Sequence, residues 1–202
     1  AAQLFRNMDI EMMKTNTAKV NEETITYPSG EKACLETIKG PYFDLNGDIL
    51  GLIGVSRNIT ERKMKEEEIR YLNYHDVLTG VYNRAFLHKQ LIELDNEEHL
   101  PLSVIFGDIN GMKLINDAFG HAEGDNTLIE IADILKQHCR KSDIICRVGG
   151  DEFSILLPKT DIGVAKSIVE DIREECRSRK QNRNSIHADI ALGFATKNNL
   201  GE

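Results

Sequence analysis

The chain has 202 residues, 41% hydrophobic and 29% charged, with a formal net charge of −8 at pH 7. That length supports one full domain and part of a second. The acidic balance excludes a protein that grips nucleic acid through a general basic surface. No run approaches the ~20 apolar residues of a membrane span, and no signal peptide is legible, so a membrane anchor is expected only on a segment upstream of this chain, if at all. Cys34, Cys139, Cys146 and Cys176 lack CxxC spacing and do not cluster with the six histidines. They read as buried free thiols in a reducing compartment, the cytoplasm.

Leu4, Met8 and Met12 stand at helical spacing. Glu23–Tyr27, the turn Pro28-Ser29-Gly30-Glu31-Lys32, and Ala33–Phe43 then predict a hairpin, with Gly40-Pro41 interrupting its second strand. Asn46-Gly47-Asp48 is a further turn and Ile49–Val55 a third strand. Asn58-Ile59-Thr60 follows at the position of the Asp-Ile-Thr exit motif of PAS sensor domains. Residues 1–60 resemble the C-terminal half of such a domain, with an antiparallel sheet and without the earlier elements that complete a ligand cavity.

Thr60 is the expected N-cap of a charged helix over Glu61–Leu72. Ile59, Met64, Ile69 and Leu72 give it a sparse apolar stripe. Two readings fit residues 61–75: a solvated connector, or a short parallel coiled coil joining two copies.

Leu102–Phe106 has the length and composition of a buried strand and runs into Gly107-Asp108-Ile109-Asn110-Gly111. An acid at the end of such a strand, beside a glycine-containing loop, presents a carboxylate to Mg²⁺. The stretch Met112–Asp125 reads as a polar loop in which Lys113 faces phosphate and Asn116 with Asp125 forms a polar pocket. Leu128, Ile131, Ala132 and Leu135 predict a helix, as do Ile162, Ala165, Ile168, Val169, Ile172 and Cys176. Ile186, Ala188, Ile190 and Leu192 alternate as a half-buried strand.

Between those helices, Asp143–Val148 and Phe153–Leu157 flank Gly149-Gly150-Asp151-Glu152. Two glycines between apolar runs predict a β-hairpin. Two adjacent acids on its turn repel, which points to a cation held there. If the 102–106 strand and this hairpin share one sheet, Asp108 and Asp151 converge on one metal.

Asp108-Ile109, Lys113, Asn116-Asp117, Phe119-Gly120-His121, Gly124-Asp125 and Arg147-Val148-Gly149-Gly150-Asp151-Glu152-Phe153 together resemble the GGDEF family of diguanylate cyclases in identity and spacing. Asp76-Val77-Leu78-Thr79-Gly80-Val81-Tyr82-Asn83-Arg84 is similar to that family's opening signature. The resemblance runs from about Asn73 to the end, and residues 76–202 are read as this domain.

The resemblance implies an α+β fold like the palm of nucleotidyl cyclases and polymerases, an antiparallel sheet with helices on one side. It also implies condensation of two GTP molecules into cyclic di-GMP with loss of two pyrophosphates, carried out by a homodimer. Asp108, the Ile109 carbonyl, Asp151 and Glu152 would hold Mg²⁺ or Mn²⁺. Asp151 and Lys113 would be catalytic, and Asn116, His121 and Asp125 would bind GTP.

Asp125 suits that substrate, since a carboxylate accepts from both N1–H and the exocyclic amine of guanine, whereas adenine N1 is itself an acceptor. Arg140-Lys141-Ser142-Asp143, separated from Gly149 by five residues, resembles the family's inhibitory Arg-x-x-Asp site. It would place Arg140 and Asp143 on product cyclic di-GMP.

Two departures stand out: Asn110 replaces the usual second acid, and Gly111-Met112 replaces the usual apolar or aromatic pair. The family's pattern continues beyond Glu202 and before Ala1, so the sequence reads as truncated at both ends. The alternative to an enzyme is an inactive GGDEF module that receives cyclic di-GMP or scaffolds partners. The assembled Asp108, Lys113, Asn116, Asp125 and Asp151 favour the enzyme.

Overall fold

The computed structural model describes residues 12–15, 17–182 and 189–201. The chain divides into two compact units, Ala1–Ile69 and Arg70–Glu202. Leu4, Met8, Ile186 and Ala188 lie outside the described residues, while Met12 is helical and 2% exposed.

The first unit is an antiparallel sheet of β1 (Lys19–Thr26), β2 (Lys32–Phe43) and β3 (Ile49–Asn58) in that order. Its turns close as the glycines predict, with Gly30 at φ 86° and Gly47 at φ 90°. Gly40-Pro41 does not break β2; both residues stay in register with β3, and the irregularity falls at Tyr42/Phe43. Val20, Ile38 and Val55 are in register across the three strands and all stand exposed.

Helix α1 (Thr60–Tyr74) follows. Its cap differs from expectation: Asn58 Oδ1 accepts the Thr60 N–H (2.9 Å), and the Thr60 hydroxyl accepts the Cys34 N–H of β2 (2.9 Å). Thr60 thus ties the helix start to the sheet instead of capping it. Arg62 adds an ion pair to Glu36 at 3.0 Å.

The second unit is a five-stranded sheet in the order β4-β6-β7-β5-β8. These strands are β4 (Tyr82–Asn83), β5 (Leu102–Ile109), β6 (Ile144–Arg147), β7 (Glu152–Leu157) and β8 (Ile190–Lys197). All neighbours are antiparallel except the short edge pair β4–β6, which is parallel.

On one face, Ile105, Ile109, Phe153, Ile155 and Leu157 pack with Ile131, Ala132 and Leu135 of α4 (His121–His138) and Ala165, Val169 and Ile172 of α5 (Ile162–Asn182). Each fully buried side chain of this kind stabilises by about 1.5–3 kcal/mol. The other face is not bare, as a one-sided sheet would be. Leu87 of α2 (Arg84–Glu93) covers Leu102, Cys146 and Leu156 there. Covered on both faces, β7 is buried at every position from Phe153 to Leu157.

Candidate active site

The two acidic segments meet because β5 and β7 are neighbours. Asp108 is the register partner of Glu152, and the Ile109 N–H donates to the Asp151 carbonyl at 3.1 Å. Three acidic residues therefore stand at the ends of two adjacent strands. Among the described residues, no lysine or arginine forms an ion pair with any of them. Like charges directly opposite one another are destabilising unless a cation intervenes.

The oxygen-only donor set fits a hard divalent cation. Three metal-ligating side chains do not, however, converge into one cluster among the described residues. The Glu152 carboxylate lies against Gly149, where an added Cβ would overlap its Oε2. Asp108, Asp151 and the Ile109 carbonyl remain as the residues suited to hold the ion.

Beside them is a cleft of about 430 Å³ lined by Lys113, Asn116, His121, Asp125 and Asp151. The stretch read as a polar loop is in fact helical. It forms α3 (Met112–Phe119) and the start of α4, broken only at Gly120 with φ 89°. Helices α3 and α4 bring Asn116 and Asp125 to the lining of one cleft, where a loop would leave them to chance. Gly111 takes φ 75° just before α3, and a Cβ there would meet nothing within 4 Å. Asn110 is explained by its partner: its Nδ2 donates to Asp189 Oδ2 at 3.2 Å, and an aspartate there would oppose a second carboxylate.

Asp117, Arg147 and Gly150 also line the cleft. Arg147 holds the turn. Its Nε and Nη2 donate to the Gly150 carbonyl (3.1 and 2.7 Å), and its Nη1 donates to both oxygens of Asp76 at 3.2 Å. Asp76 also accepts from the Thr79 hydroxyl (2.6 Å) and N–H (2.9 Å). Partial burial pushes the Asp76 carboxyl up, but the Thr79 and Arg147 hydrogen bonds outweigh it and hold it below the ordinary value. The opening signature is thus a brace for the acidic turn. Sequence reasoning recognised the signature but missed this role, because residues 71 apart give no local sign of pairing.

Arg140 and Asp143 form a closed turn between α4 and β6. Asp143, 9% exposed, accepts the Arg140 N–H at 2.7 Å, and the Arg140 side chain is solvent-exposed. Burial, aided by Asp143, pushes the Cys139 thiol up to about 12, and burial alone does the same for Cys146, which disfavours the reactive thiolate at both.

The family model "Diguanylate cyclase, GGDEF domain" matches residues 73–202. The chain is 36% identical over 149 residues to the diguanylate cyclase DgcM of Escherichia coli K12, covering 71% of this chain and 35% of that protein. It is 33% identical over 193 residues to a diguanylate cyclase of Vibrio cholerae, covering 93% of this chain and 60% of that one. It therefore spans less than two thirds of the length of these relatives. Among solved structures, the coiled coil and GGDEF domain of DgcB from Caulobacter crescentus, in complex with c-di-GMP, aligns with a TM-score of 0.65 at 25% identity, covering 71% of this chain and 79% of that one. With its opening signature, cleft helices and acidic turn all on one domain, this chain belongs to the GGDEF family.

Proposed function

We propose that this chain is the catalytic module of a diguanylate cyclase, joining two GTP molecules into cyclic di-GMP with release of two pyrophosphates. The observation that carries this reading is the convergence of Lys113, Asn116, Asp125 and Asp151 on one cleft, with Asp108 beside it. Asp125 accepts from guanine N1–H and the exocyclic amine, and Asn116 completes the contact with the base edge. Lys113 places its ammonium against the phosphates. Asp108, Asp151 and the Ile109 carbonyl hold Mg²⁺ or Mn²⁺, with Glu152 in reserve over Gly149. The ion, when bound, neutralises the triphosphate and polarises the α-phosphate.

The 3′-hydroxyl of one GTP attacks the α-phosphate of the other, pyrophosphate leaves, and the hydroxyl proton passes to a carboxylate of the cleft wall, Asp151. A cleft of this size takes one nucleotide, so two copies meet face to face and each supplies half of the reaction. His121, at the cleft's rim on α4, serves GTP binding. The sheet of residues 19–58 is the output half of a PAS-type sensor, and α1 carries its signal.

Cyclic di-GMP inhibits at the turn before β6. There the exposed Arg140 guanidinium makes the main contact, and Asp143 holds the turn that presents it.

The test is direct. Purified protein with GTP and Mg²⁺ should yield cyclic di-GMP by liquid chromatography, and ATP should yield no cyclic product. GTP binding without product would favour a receptor instead.

A further inference from the structure

Gly124 sits where a helix disfavours glycine. It is the fourth residue of α4, inside the helix and buried. Glycine there is less favourable than alanine because it loses more backbone freedom on folding. The space its side chain would fill is taken by Asn116 from α3. A Cβ on Gly124 would overlap Asn116 Oδ1 and stand 3.0 Å from its Cγ and 3.4 Å from its Nδ2. The next residue along α4 is Asp125, on the same cleft wall.

We propose that Gly124 is a positioning residue for base specificity. The missing methyl is a seat for the Asn116 carboxamide, and it fixes that group beside Asp125 so that the two read a guanine edge together. The proposal rests on the reading of this cleft as a GTP site. It also makes a definite distinction between folding and binding. The atoms in the way belong to the end of a short side chain that can rotate aside, so alanine at 124 displaces Asn116 and leaves the helix intact. A freely placed carboxamide then loses most of its contribution to nucleotide binding.

Gly124→Ala should raise the KM for GTP about 5- to 50-fold and change kcat at saturating GTP less than about 3-fold. It should also narrow the GTP-to-ATP ratio of kcat/KM, while the melting temperature stays level or rises by a few degrees. Calorimetric titration with a non-hydrolysable GTP analogue gives the same loss independently of turnover.

The decisive measurement is a cycle with Asn116→Ala. In that background Gly124→Ala should cost no further affinity, because the seat is already vacant. If Gly124→Ala instead lowers the melting temperature, truncating Asn116 in the double variant should restore it. Failure to do so overturns the proposal. Wild-type affinity in Gly124→Ala beside a clear loss in Asn116→Ala would also overturn it while leaving the guanine site standing. No loss in either variant would bring down the GTP-site reading and this inference together.

Discussion

In the proposed reaction Asp151 carries the greatest demand of any single residue, because one carboxylate would serve both the ion and the cleft wall. Asp151→Asn keeps the shape of the side chain and removes its charge. We expect a folded protein whose cyclic di-GMP synthesis falls roughly 10²-fold or more, equivalent to several kcal/mol of lost transition-state stabilisation. Near-wild-type turnover would refute the assignment. Asp125→Ala should cost GTP use far more than stability and reduce the preference over ATP, read as the ratio of kcat/KM values.

Asp76 works at one remove. Its folded carboxyl titrates below 3.8, so the stability it contributes is complete at neutral pH and drains away as pH falls through that lower value. Urea denaturation of wild type and Asp76→Asn should therefore differ at pH 7, and the gap should narrow as pH falls below the ordinary carboxylate range. A constant gap would mean that Asp76 contributes by shape alone.

The turn between α4 and β6 shows how two residues of one motif divide the work at the level of an element. Asp143 is nearly buried and locked to the turn's own backbone, while the Arg140 side chain reaches solvent. Asp143→Ala should cost about 1–2 kcal/mol of stability by removing the acceptor of the partly buried Arg140 N–H. Arg140→Ala should leave the melting temperature alone and raise the inhibitory concentration of cyclic di-GMP about 5- to 150-fold. Equal inhibition of wild type and Arg140→Ala would reduce the motif to a turn.

Elements also mark the limit of sequence reading. The β5–β7 meeting of Asp108 with the acidic turn was legible, since each segment announces its strand and its acid locally. Helix α3 was not: Lys113, Asn116 and Asp117 mask the buried Met112 and Ile115, and eight residues are too few for a periodic signal to stand out. Burial of β7 on both faces was equally hidden, because it depends on where α2 docks. So was the brace from Asp76 to Arg147, a contact that exists only once the fold has formed.

At the scale of the whole molecule, the proposed reaction requires two clefts to meet. Met64 and Leu72 of α1 stand 66% and 50% exposed, an apolar stripe on a charged helix. Met64→Glu with Leu72→Glu should weaken self-association in sedimentation and lower specific activity at dilute protein, with recovery at high concentration. Activity independent of both substitutions and of concentration would show that pairing is governed elsewhere.

The placement of β5 sets an order of events for the growing polypeptide. This interior strand takes one neighbour from β7 and the other from the edge strand β8, and the Ser103 hydroxyl bonds Thr196 across 93 residues of sequence. While the chain leaves the ribosome, β5 must wait with one edge bare until β8, far along the sequence, appears. An interrupted product ending before Ile190 would carry that bare edge permanently, a template for strand-to-strand association. Such a product should collect in the insoluble fraction, whereas a chain that includes β8 should stay soluble.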